Sequence, residues 1–94
     1  MLTKITWNDL EMSRKRSSYE ISADILKVAL GGAKKSHIVY QANLNFSIIN
    51  DYIQDLTRSG LLHGPMNGSK LYTTTEKGIE FINYIEGMKQ FAIH

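Results

Sequence analysis

The chain has no cysteine, so a disulfide framework and a thiolate metal site are both excluded. It has no run of about 18 apolar residues, so no transmembrane helix is expected. Its first sixteen residues, MLTKITWNDLEMSRKR, lack the apolar stretch of a secretory signal. A soluble, cytoplasmic protein is the expectation. The catalytic signatures are missing too. There is no GxSxG, no P-loop and no cysteine nucleophile. His37, His63 and His94 are not spaced from one another or from a carboxylate as in a metal motif. Neither an enzyme, a metal nor a cofactor is expected, and no small-molecule pocket is evident.

What remains is 94 residues, enough for one domain with a small core. The net charge is +2, but it is unevenly spread: residues 1–35 carry about +3 and residues 36–94 about −1.

Hydrophobic spacing organises the chain. Residues 1–16 are polar apart from large apolar Trp7 and Leu10, which suits an arm or a short helix. Ser17 and Ser18 offer an N-cap. From Tyr19 to Leu30, Ile21, Ile25 and Val28 form a helical stripe with Leu26 and Ala29 beside it, and Gly31-Gly32 stops the helix. Ser36 is the next expected N-cap, opening a short helix from His37 to about Ala42. Asn43-Leu44-Asn45 then turns the chain; asparagine tolerates left-handed geometry and Leu44 can plug the corner. A third helix is expected from Phe46 to about Ser59, with Phe46, Ile49, Ile53 and Leu56 as its core stripe. Gly60 ends it. Leu61-Leu62-His63 and Lys70-Leu71-Tyr72-Thr73-Thr74 read as short strands around the loop GPMNGS. Thr74 or Thr75 opens a last helix to about Gln90, with Ile79, Ile82 and Ile85 along one side.

Two helices joined by a tight turn and followed by a hairpin form a winged helix-turn-helix plan. The fold class expected is α+β, mostly α: three helices, a two-stranded hairpin wing and a C-terminal dimerisation helix. The divisions are an N-terminal arm or short helix (1–16), the winged helix-turn-helix (17–74) and the dimerisation helix (75–94).

The runs RSSYEISADILKVALGGAKKSHIVYQANLNFSIINDYIQDLTRSGLL and LYTTTEKGIEFINYIEGM together resemble the archaeal winged-helix DNA-binding proteins. That family includes small transcriptional regulators and dimeric chromatin-associated proteins. The resemblance covers roughly residues 16–90. It implies an archaeal or archaeal-virus source, sequence-nonspecific or operator binding to double-stranded DNA, and a homodimer joined through the C-terminal helix; the expected location is then the nucleoid.

Within this plan the residues divide by chemistry. Lysine and arginine supply phosphate affinity, while base edges supply sequence information. Lys34, Lys35 and Ser36 are candidate phosphate contacts, with Tyr40 and Gln41 behind them. Ser47, Asn50, Asp51, Gln54 and Arg58 share the outer face of the third helix. Asparagine and glutamine suit adenine there, and aspartate can accept from cytosine N4. Ser69 and Lys70 are expected to reach flanking DNA from the wing, and Arg14, Lys15 and Arg16 to lie along the backbone as an arm. The last helix is apolar on a second side, through Phe81, Tyr84, Ile85, Met88 and Phe91. An isologous dimer would cover it, with Trp7 and Leu10 at the same seam. The expected function is a homodimeric regulator reading the major groove with residues 46–59 and flanking DNA with the 64–70 wing. The alternatives are a sequence-nonspecific architectural protein and a protein-interaction module, the latter suggested by Asp51 and Asp55 on the third helix.

Overall fold

A computed structural model of the chain describes residues 16–91. Trp7, Leu10, Arg14 and Lys15 lie outside the described residues. Four helices and one hairpin make up the described part: α1 (Ser18–Val28), α2 (Lys35–Gln41), α3 (Phe46–Arg58), β1 (Leu62–His63), β2 (Thr73–Thr74) and α4 (Glu76–Gln90).

Local chemistry sets each boundary. Ser17 caps α1 through a reciprocal box: its hydroxyl accepts from the Glu20 N–H at 3.1 Å, and its own N–H donates to Glu20 Oε1 at 3.0 Å. Helix α2 ends in a Schellman turn. Leu44 N–H reaches back to the Val39 carbonyl (2.9 Å), and Asn43 adopts a left-handed φ of 57°. Helix α3 ends the same way around Gly60 (φ 78°), with the Leu61 N–H on the Leu56 carbonyl at 2.9 Å. Thr75 caps α4; its hydroxyl accepts from the Gly78 N–H and donates to the Gly60 carbonyl at 2.7 Å. One threonine thus starts α4 and fixes it to the end of α3.

The core lies where α1, α2, α3 and α4 converge. Ile25, Leu26, Ile38 and Ile49 are fully buried, each worth roughly 1.5–3 kcal/mol of apolar burial. Val39, Ile53, Leu56, Leu62 and Ile82, with Ala29, Ala33 and Ala42 between them, complete the cluster, and Leu44 packs against it from the turn. The hairpin pairs antiparallel, Leu62 with Thr74 and His63 with Thr73. A further bridge joins Ala33 to Tyr72 through two hydrogen bonds of 2.9 and 2.8 Å. Thr74 adds two bonds to the end of α1: its N–H to the Ala29 carbonyl (3.1 Å) and its buried hydroxyl to the Leu26 carbonyl (2.6 Å).

Four expectations need correction. Ser36 does not cap α2. Lys34 occupies the cap position without a side-chain bond, and Ser36 lies inside the helix. Phe46 is not core: it sits at the first position of α3, beyond the packed layer, and is 62% exposed. Ile79 is also largely exposed, and Phe81 takes the inward place, its ring 6.5 Å from that of Tyr19. The strands are two residues each, because the chain from Gly64 to Leu71 bows outward as a loop.

Candidate nucleic-acid interface

Helices α2 and α3 meet across the Asn43 turn, and α3 leaves one polar face uncovered. Ser47, Asn50, Asp51, Gln54 and Arg58 are all exposed on it. Positions i, i+3, i+4, i+7 and i+11 fall on one side of a helix, so these five form a continuous strip. Lys35 Nζ donates to Asn50 Oδ1 at 2.7 Å, tying the start of α2 to the middle of that strip.

Beside the strip lies an open depression of about 430 Å³, lined by Lys34, Lys35, Ser36, Pro65, Ser69, Lys70 and Tyr72. One wall is the start of α2 and the other is the hairpin. Three lysines from two elements therefore face one concavity. The hairpin tip is a tight turn with positive φ at both Asn67 (53°) and Gly68 (81°), and the Ser69 N–H closes it on the Met66 carbonyl. The Ser69 hydroxyl accepts from the Leu71 N–H at 3.0 Å, which holds Lys70 between two fixed residues.

The other site candidates are placed differently. Tyr40 and Gln41 are exposed at the end of α2, and Tyr40 is 81% accessible. Arg16 turns inward. Its guanidinium bonds Asp24 Oδ2 (2.6 Å) and the carbonyls of Ala42 (3.0 Å) and Asn43 (3.1 Å). It braces the turn between α2 and α3 against α1 and leaves little of its charge for a partner. Sequence spacing missed Pro65 and Tyr72, because nothing local shows that the hairpin folds back toward Lys34. Among the described residues no group of three or more His, Asp or Glu side chains is placed to hold a metal ion. No helix among them is long and apolar enough to cross a membrane.

Residues 15–92 match the model of the winged helix-turn-helix family. The chain belongs to that family. In these terms α2 and α3 form the helix-turn-helix, and the hairpin that carries residues 64–70 is the wing. The fold is similar to Sso10a-2, a DNA-binding protein from Sulfolobus solfataricus. The two share 27% identity over 82% of each chain, with a TM-score of 0.75. No curated protein matches the chain.

Helix α4 presents a second exposed surface. Tyr84, Met88 and Phe91 are 68%, 56% and 76% exposed, and their spacing of four and three puts them on one stripe. Ile85 is buried within the chain, and Phe81 packs on the core. Lys27 and Lys89 both pair with Glu86 on this helix, the latter at 3.6 Å.

Proposed function

We propose that this winged helix-turn-helix protein is a homodimer that binds double-stranded DNA and regulates transcription at the nucleoid of the cytoplasm. The observation that carries the reading is the placement of Lys34, Lys35 and Lys70 around one open depression, directly beside the polar strip of α3. Phosphates dock on lysines and base edges are read by side chains on the recognition helix. Helix α3 then enters a major groove. Asn50 and Gln54 suit adenine, and Asp51 suits the cytosine amino group. The wing follows the flanking backbone. That Sso10a-2 is a DNA-binding protein of the same fold, at 27% identity, supports the assignment.

The stripe of Tyr84, Met88 and Phe91 supports the dimer, since three large apolar residues in line are covered most simply by their two-fold copies. Two-fold symmetry places half-sites one helical turn apart, ~34–36 Å, or a multiple of it. Tyr84→Glu with Met88→Glu is expected to give a folded monomer by sedimentation; an unchanged dimer would place the interface elsewhere.

One arrangement favours a second reading. The lysines lie off α3, while Asp51 and Asp55 lie on it, so backbone affinity and base reading are carried by different elements. A protein that used the lysines alone would be architectural and indifferent to sequence. Titration at two salt concentrations, with random duplex and with the DNA upstream of the protein's own gene, decides between them. Tighter binding to the upstream fragment supports the regulator. Equal, steeply salt-dependent binding supports the architectural protein. Absence of binding at low salt would overturn both.

A further inference from the structure

Phe46 is unused by the reading above. It holds the first position of α3 and is 62% exposed, although Ile49 and Ile53, on the following turns, are buried. It belongs neither to the core cluster nor to the partly buried residues packed on it, and no aromatic stacking partner for it occurs among the described residues. Its neighbours on the exposed side are Ser47 and, one turn on, Asn50. The apolar stripe suited to a second copy of the chain lies on α4, a different element.

The opening residues of a recognition helix are those that reach base edges. The strip that follows Phe46 is wholly polar or charged, so it can read only hydrogen-bonding groups. One major-groove feature lies outside that code: the 5-methyl group of thymine, which is recognised by apolar contact, phenylalanine included.

We propose that Phe46 is a specificity-determining residue that packs its ring against a thymine 5-methyl group in the major groove. It supplies the apolar element of a readout otherwise made of Ser47, Asn50, Asp51 and Gln54. The inference rests on the DNA-binding reading and adds to it the base that the first turn of α3 selects.

The test uses the full chain and the tightest-bound duplex recovered from a random-sequence DNA pool, synthesised once with thymidine and once with deoxyuridine throughout. The two probes differ only in methyl groups. The unaltered protein is expected to bind the thymidine form about fourfold more tightly for each methyl contacted, the value of one buried methyl. Phe46→Ala is expected to bind both forms equally, at the weaker affinity. Phe46→Leu, which keeps an apolar side chain, is expected to retain part of the preference and guards against a folding artefact. Equal binding of both forms by the unaltered protein would overturn the role of Phe46 while leaving DNA binding intact. A full preference retained by Phe46→Ala would do the same. Failure to recover any bound duplex would remove the DNA-binding reading itself.

Discussion

Lys35 Nζ donates to Asn50 Oδ1 at 2.7 Å, so a residue suited to phosphate holds the amide of a residue suited to bases. With its oxygen toward the lysine, Asn50 turns its NH2 outward as a donor. Both side chains belong to the exposed surface, and the bond adds at most ~1 kcal/mol to stability. Lys35→Ala is expected to lower the slope of log affinity against log salt by about 0.9, the value of one phosphate contact. Asn50→Ala with Gln54→Ala is expected to keep that slope and cost about 1–3 kcal/mol per lost base contact on the preferred site. Salt-dependent titrations of the variants check both. Binding unchanged in the double variant would remove α3 from the recognition role.

Arg16 gives the opposite expectation. Its guanidinium satisfies two carbonyls of the α2–α3 turn and pairs with Asp24, with 24% of its side chain accessible. Arg16→Ala is expected to destabilise the fold by ~1–3 kcal/mol, through the unpaired carbonyls and the lost charged bonds. The salt slope of DNA binding should not change. Urea unfolding beside the titration separates the two effects.

Two glycines of α4 should respond to alanine with opposite signs. A Cβ at Gly78 would overlap the Leu61 carbonyl oxygen and crowd the Thr74 methyl, whereas one at Gly87 would meet nothing within 4 Å. Gly78→Ala therefore forces α4 off the hairpin, at an expected cost of about 1–3 kcal/mol. Gly87→Ala is expected to stabilise by ~0.5–1 kcal/mol, because alanine is the better helix former. Thermal melts of the two variants make the comparison.

The ion pair between α1 and α4 gives a small acid-side signature. The Lys27 ammonium, aided by Lys89, holds the Glu86 carboxyl below its ordinary value. A depressed folded-state value means stability that is present above the unfolded value of about 4.3 and lost as pH falls through the folded one. Since about two fifths of each side chain is accessible, the contribution is at most ~1 kcal/mol. Glu86→Gln should flatten the fall in unfolding free energy from urea titrations below pH 5 by that amount and leave it unchanged below pH 2.

Helix order and the hairpin were legible because they rest on local signals. The spacing of Ile49, Ile53 and Leu56, the left-handed Asn43 and the glycine at position 60 each act within a few residues. Tertiary context decided the rest. Phe46 continues the apolar period of α3, yet α3 begins there and no element among the described residues extends far enough to cover it. Ile79 and Phe81 exchange places because Tyr19, 62 positions earlier, supplies a ring for Phe81 to meet. The role of Arg16 was hidden for the same reason. A basic run reads as solvated charge until the carbonyls of Ala42 and Asn43 are brought to it.

The bridge between Ala33 and Tyr72 has a mechanical consequence. Lys34 follows one of its ends directly, and Lys70 precedes the other by two residues. The two jaws of the depression are therefore joined at their base by paired backbone, and Thr74 bolts the same base to α1. Such a clamp has a set gauge. A duplex that already presents phosphates at that gauge binds without distortion, and a stiffer or differently shaped one must itself deform. If Lys34 and Lys70 dock phosphates as proposed, selection by the elasticity of DNA would be built into the scaffold, apart from any base contact made by α3.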